Sequence, residues 1–508
     1  MKSIQILIVD LKSQYTQLIG RSLRELGFRA AILAPKKAEK WLFKNNPKAI
    51  ILSGGSNSVY DEGAITPPEV IFEKKVPILG ICYGMQWLAQ RLGGEIHAAV
   101  EDKEYGKAGI VISNDVDSIF RGLAGNKIVW ASHGDSVSKL PDGFKKIASS
   151  RANSGIAAVS NSEEKIWGLQ FHPEVTHTEN GKEMLRNFLS ICDVDSDWVP
   201  GDVISEVQKG TKKAIGDKKA IIGFSGGVDS STLTAIIQLQ LGKNLLVVCI
   251  DTGGLRKNEI NEIRANAKEV GAKLVVINAA RRFQKALKNI IDAEKKRSAF
   301  SKLYVKILEE AGKVFGAEYI IQGSLATDLI ESRAVGEADL IKSHHNIGNK
   351  WKMIEIHPFR DLFKYEVRAL ARRLNLSKAI SERQPFPGPG LFIRIVGIPV
   401  TIPKLSILRW ADDKVRKILK DRGIYRKQSQ VVVGLWGIKT VGIKGDKRSY
   451  AYPIVVRSVN TRDFMTVDGV DFPTDIKKEI EKAVTAHSQI NRVVWDTTDK
   501  PPATTEFE

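Results

Sequence analysis

Cys82 lies in the segment LGICYGMQWLA (79–89), between a short apolar run and an amphipathic one. A residue so placed stands on a sharp turn at the carboxyl end of a strand, and the N-terminus of the following helix favours the thiolate. Gly80 and Gly84 permit the tight turn, the mechanics of a nucleophile elbow. A cysteine nucleophile needs a base, and the base needs an orienter. The segment GLQFHPEV (168–175) offers both: His172 follows an apolar run, Glu174 lies two residues on, and Pro173 stiffens the turn. The backbone amides of Gly55, in LSGGS, and of Tyr83 are the candidates for an oxyanion hole.

A second constellation is FSGGVDSS (224–231), flanked by AIIG and TLTAII. It reads as a strand, a glycine-rich turn and a helix start, where backbone amides and the helix dipole bind anions. The lysine of the G-x-x-x-x-G-K-[ST] phosphate loop is missing. What remains is the backbone of Gly226, Gly227 and Val228, the hydroxyls of Ser225, Ser230 and Ser231, and the carboxylate of Asp229. The hydroxyls suit phosphate oxygens, and Asp229 suits Mg²⁺.

The elements around these residues repeat one pattern twice. IQILIVD (4–10), KAIILS (48–53) and VPILGI (76–81) are strand-sized apolar runs separated by helical stretches, Ser13 to Gly27 among them. KKAIIGF, NLLVVCI, KLVVIN and EYIIQG repeat the pattern around the second constellation. Alternating β and α segments predict two doubly wound, parallel-sheet α/β domains. The turn-rich DVDSDWVPGD and the Pro/Gly-rich RQPFPGPGLF (383–392) mark two boundaries. The expected domains are 1–195, 196–383 and 384–508. The last is a smaller α+β module with a helix over 404–421, strands in QVVVGLW and YPIVVRSV, and a final helix from about Thr474.

At 508 residues, with 43% apolar and 27% charged residues, the chain is of globular composition, and its apolar runs are far shorter than a membrane span. Three cysteines, Cys82, Cys192 and Cys249, form no disulfide framework or metal-ligand spacing, which predicts a reducing cytoplasm. The net charge of +19 suits anionic partners or simply solvates the surface. The lysines are dispersed and no nucleic-acid-binding signature stands out, so phosphorylated small molecules are favoured over nucleic acid, and no membrane partner is expected.

GICYGMQ, QFHPEVTHT and SQYTQLI together make residues 4–190 resemble the class I glutamine amidotransferases, which hydrolyse glutamine through a Cys-His-Glu triad and release ammonia. SGGVDSS is similar to the pyrophosphate loop of the N-type ATP pyrophosphatases, which split ATP between its α- and β-phosphates. The two in this order resemble the glutamine-hydrolysing GMP synthetase family. LIKSHHN (340–346), DLIES (328–332), PFPGPGL (385–391), GDKRSY (445–450), DFMT (463–466) and KPPATTEFE (500–508) extend the likeness along the chain.

The resemblance implies amination of XMP to GMP through an adenylylated intermediate, with ATP as co-substrate, Mg²⁺ as cofactor, and a homodimer formed through the last domain. It implies XMP contacts from Arg297, Gln430, Arg448, Lys500, Thr505 and Glu506, and a lid carrying Lys342, His344 and His345. A tail ending at Glu508 is expected to be ordered by substrate or partner contacts, since chain ends fray. The sequence departs from the family pattern at Lys12 (glycine usual), Ser56 and Thr327 (proline usual), Gln384 (histidine usual) and Phe507 (tryptophan usual). DTGGLRKNE (251–259) and the SAFS after Arg297 depart as well. Two other readings remain: amination of a different nucleotide, and a basic nucleic-acid-binding protein on a relict enzyme fold.

Overall fold

The computed structural model describes residues 4–55, 58–98, 104–113, 118–196, 202–325, 351–360, 362–461, 464, 466–500 and 502–508. Two compact units divide the chain, Met1–Val199 and Pro200–Glu508.

The first unit is built on a nine-stranded sheet. Ala30–Leu33, Ile6–Val9, Ala49–Leu52, Ile78–Ile81 and Ile166–Leu169 lie side by side in parallel. Most of these strands are four-residue apolar runs buried throughout, as a sheet covered on both faces requires. Ile156–Asn161, Lys145–Ser150, Glu104–Ile112 and Gly125–His133 continue the sheet antiparallel. The expected parallel sheet is therefore the part that carries the elbow, and the antiparallel wing extends it. Repetition of short apolar runs does not report strand direction, so the wing was invisible to the pattern.

The second unit begins with a five-stranded parallel sheet in the order Leu274–Asn278, Leu245–Asp251, Ala220–Gly223, Tyr319–Ile321, Ile354–Ile356. The chain leaves Ala220–Gly223 at the point where strand order reverses, which opens a crevice at the strand's carboxyl end. A mixed sheet follows, with Gln430–Trp436 antiparallel and Ile490–Asp496 parallel to the long central strand Lys447–Asn460. The helix Ile402–Asp421 packs on this sheet, its first turn capped by Thr401.

One core joins the two sheets of this unit: Ile221, Val248, Phe283 and Phe300 belong to the same cluster as Leu391, Leu408, Val431 and Ile454. Truncating Phe300 to alanine would cost about 3–5 kcal/mol, because so tight a site cannot collapse around the cavity. The architecture is α/β, with a C-terminal mixed α+β region.

Candidate active sites

Cys82 joins the strand Ile78–Ile81 to the helix Tyr83–Arg91 at φ 51° and ψ −108°. A side chain on such a backbone is strained by about 1–3 kcal/mol, and surrounding structure must hold it. The hydrogen bond from Cys82 N to Leu169 O (2.6 Å) does so on one side, and the Gln86 N bond to Cys82 O (3.1 Å) on the other. Space explains the flanking glycines: a Cβ on Gly80 would lie 2.7 Å from the Gly84 backbone, and one on Gly84 2.6 Å from Leu52 O.

His172 Nδ1 lies 2.8 Å from Glu174 Oε1, and both side chains are buried. His172 N donates to Trp130 O (2.9 Å), and Thr178 Oγ1 donates to His172 O (2.6 Å), so the turn is fixed at both ends. Tyr15 meets the imidazole edge-on at 4.8 Å. Burial disfavours the imidazolium, but the charge of Glu174 and hydrogen bonds to Cys82 and Glu174 outweigh it, and the pKa of His172 rises to about 10. This is a cysteine beside a histidinium oriented by a carboxylate. Gly55 packs on the Tyr83 ring, with a Cβ built there 2.9 Å from Tyr83 Cγ, so the two residues expected to supply the oxyanion amides are in contact. Lys12, at a position where glycine is usual, adopts φ 68°, a left-handed conformation that costs an L-residue about 1–2 kcal/mol.

The FSGGVDSS loop runs from the strand Ala220–Gly223 into the helix Val228–Leu241. Gly226 takes φ +69°, and Gly227 caps the helix without a side-chain bond, leaving its first amides for a ligand. Ser225 and Ser230 share a 3.1 Å contact between hydroxyls at the loop. Ser231 departs from expectation. It is fully buried and its Oγ has no hydrogen-bond partner among the described residues, because its helical position, one turn in, faces the core. Val228 is likewise buried and serves the loop through its backbone.

Sequence reasoning missed Lys364. It opens the helix Lys364–Arg373 and forms an ion pair with Asp229 Oδ2. A cation therefore does sit beside the loop, delivered from a distant helix instead of from the loop itself. Asp229 Oδ1 is buried with no hydrogen-bond partner among the described residues.

Of the residues expected on the XMP side, Gln430 meets Glu506 and Arg297 meets the Glu508 end of the tail, whereas Arg448 lies elsewhere. Glu506 receives Arg394 through both Nε (3.0 Å) and Nη2 (2.9 Å), and Gln430 Nε2 at 2.7 Å. Arg297 Nη2 donates to Glu508 O, and Lys296 Nζ pairs with Glu508 Oε2 at 2.6 Å. Thr505 is buried beside them in sequence, and Lys500 Nζ donates to Phe464 O (2.8 Å). The tail is thus ordered by the chain's own cations, not by substrate contacts alone. Phe507 fills the space over Gly434, where a Cβ would lie 2.7 Å from its ring, and meets Trp436 edge-on. Gln384 donates to Tyr425 O and Gln428 O and accepts from Val431 N.

Arg448 is exposed and pairs with Ile443 near the start of the strand Lys447–Asn460, whereas Gln430 pairs with Val459 near its end. That separation is roughly 35 Å of extended chain, so within this chain Arg448 does not join the Gln430–Glu506 cluster. Lys342, His344 and His345, and the departures at Ser56 and Thr327, lie outside the described residues.

Residues 7–192 match the family Glutamine amidotransferase class-I, 219–324 match Arginosuccinate synthase N-terminal HUP domain, and 417–507 match GMP synthase C terminal domain. The glutamine-hydrolysing GMP synthase of Lactobacillus acidophilus is 41% identical over 513 residues, covering 99% of this chain and 98% of the relative. That of Chlorobium limicola is 42% identical over 516 residues, covering 99% of each. The chain belongs to the glutamine-hydrolysing GMP synthase family. Within that family its first unit carries the amidotransferase match and its second the other two. A glutamine amidotransferase structure from Thermotoga maritima is 21% identical with a TM-score of 0.31, over 38% of this chain and 100% of that one.

Proposed function

We propose a two-stage assignment of residues for the reaction of this family, the conversion of XMP to GMP with glutamine and ATP. In the first stage Cys82 Sγ attacks the carboxamide carbon of glutamine, and the developing oxyanion takes hydrogen bonds from the amides of Gly55 and Tyr83. The C–N bond breaks, His172 gives the leaving ammonia its proton, and a thioester remains. Water, deprotonated by His172, then releases glutamate. Glu174 keeps the imidazole oriented and charged; the 2.8 Å contact and the raised pKa support that role.

In the second stage O2 of XMP attacks the α-phosphorus of ATP, and pyrophosphate leaves into the loop 225–231. Ammonia adds at C2 and AMP departs, giving GMP. The amides of Gly227 and Val228, the hydroxyls of Ser225 and Ser230, and Lys364 hold the departing pyrophosphate. The unpartnered Asp229 Oδ1 fits Mg²⁺, which takes one or two carboxylates and completes its shell with phosphate and water. Bound there, Mg²⁺ would neutralise phosphate charge. Arg297, Gln430, Lys500, Thr505 and Glu506 form the XMP side, where Glu506 accepts hydrogen bonds.

A homodimer is part of the reading. Val441, Ile443 and Tyr450 share one face of a strand pair with Arg448, which stands opposite Ile443, and all are exposed, Ile443 by 79% and Tyr450 by 60%. A largely apolar face with one cation, presented at a sheet, suits a second copy of the chain. Three free, buried cysteines support a reducing cytoplasmic setting, and no helix of the described residues is long and apolar enough to cross a membrane.

The observation that carries the proposal is a buried Cys-His-Glu set and a phosphate loop with an open carboxylate oxygen, in one chain aligned almost end to end with GMP synthases. The test is GMP formation from XMP and Mg-ATP, with glutamine and then with ammonium as nitrogen donor. Failure with both would overturn it.

A further inference from the structure

The Gly226 carbonyl is pinned by two side chains that the sequence places far from it: Asn266 Nδ2 at 2.8 Å and Arg383 Nη1 at 2.9 Å. The other arm of Arg383 pairs with Glu259, a buried carboxylate whose Oε2 has no hydrogen-bond partner among the described residues. The packing is close enough that a Cβ on Gly226 would lie 3.2 Å from Arg383 Nη1 and 3.0 Å from Ile263 Cγ1.

Arg383 is itself held. Arg368 donates to the carbonyls of Ser381 (3.2 Å) and Arg383 (2.9 Å). The neighbouring Gln384 amide makes three bonds, to Tyr425 O, Gln428 O and Val431 N. A neutral amide can make all three at once; an imidazole, with two ring nitrogens, cannot.

In a planar trans peptide the carbonyl and the N–H point in opposite directions. Fixing the Gly226 carbonyl toward Arg383 and Asn266 therefore fixes the Gly227 N–H toward the other side, where it donates a long 3.3 Å hydrogen bond to Ser225 Oγ that an anion in the loop would replace. We infer that Arg383 is a positioning residue for pyrophosphate: it sets the Gly226–Gly227 peptide so that the Gly227 amide faces the departing anion. Its cation stays behind the loop, paired with Glu259, and acts through the peptide. The inference rests on reading 225–231 as the pyrophosphate loop. Without Arg383 the peptide, glycine on both sides, keeps only the Asn266 anchor, rotates more readily, and the donor is misaligned in part of the population.

The test measures binding of inorganic pyrophosphate with Mg²⁺ to the full chain by calorimetry, beside KM for ATP and Kd for XMP. Arg383→Met is expected to weaken pyrophosphate binding and raise KM for ATP by about 10-fold, with Kd for XMP within 2-fold, and Arg383→Lys to recover part of the loss. Unchanged pyrophosphate affinity, or an equal loss for XMP, would overturn the inference. Should Arg383→Met not fold, Asn266→Ala and Arg383→Lys decide. Acting on one carbonyl, their effects on pyrophosphate affinity must be non-additive, and additive losses refute the assignment. Asp229→Asn separates the two levels: if it leaves pyrophosphate binding intact, the loop reading itself is wrong, whatever Arg383 does.

Discussion

Asp229, in the first turn of its helix, is ion-paired with Lys364, which stands 135 positions later at the start of another. The pair puts a lysine beside a phosphate loop that has none in its own sequence. If Lys364 is the loop's cation, Lys364→Met should raise KM for ATP about 10-fold or more, close to 1.4 kcal/mol of lost binding. Lys364→Arg should recover part of it. Steady-state kinetics with ammonium as nitrogen donor isolates this stage from glutamine hydrolysis, and an unchanged KM would remove Lys364 from the site.

Cys82 and the loop belong to different stages, so their variants should separate. Cys82→Ala should abolish glutamine-driven GMP formation while ammonium-driven turnover stays within about 2-fold, since only the covalent step is lost. Asp229→Ala should abolish both. Parallel assays with the two nitrogen donors read this directly, and loss of both activities in Cys82→Ala would contradict the division.

His172 gives a pH prediction with a definite sign. Its folded pKa is raised from 6.5 to about 10, so its contribution to stability is complete below about 6.5 and disappears as pH rises through about 10. Glu174→Gln removes the largest charge that raises the value, which brings the window down. Cys82 in that variant should alkylate roughly 10-fold more slowly at neutral pH, having lost a stable imidazolium neighbour. Iodoacetamide kinetics against pH, with an NMR titration of His172, check both statements.

Glu506 faces Arg394, whose side chain is wholly buried. Glu506→Ala leaves that guanidinium with Asp412 at 3.6 Å as its carboxylate partner among the described residues, and should cost about 3–5 kcal/mol. Glu506→Gln keeps the shape and should cost less, while raising KM for XMP if the carboxylate accepts from the base. Thermal unfolding and XMP kinetics on the two variants distinguish support of the fold from recognition.

The exposed face of Val441, Ile443 and Tyr450 makes the dimer testable. Ile443→Glu would replace the most exposed apolar side chain of this face with a carboxylate opposite Arg448, and the chain should sediment as a monomer at concentrations where the parent is a dimer. A parent that sediments as a monomer would exclude the homodimer.

The amino-acid sequence alone determined what is written in short segments. Cys82 with its glycines, His172 with Glu174 and the SGGVDSS turn were legible because strand, turn and helix start are local and need only a few neighbouring residue types. The apolar runs located the strands that lead into the elbow and the phosphate loop for the same reason. Contacts between distant segments were decided by the tertiary structure. Periodicity could not say that Ser231 turns into the core, that Arg448 lies a strand's length from Gln430, or that Lys364 and Arg383 converge on one loop from 135 and 157 positions away. Such pairings depend on which strand lies beside which and where each helix packs, and no local pattern of residues encodes that.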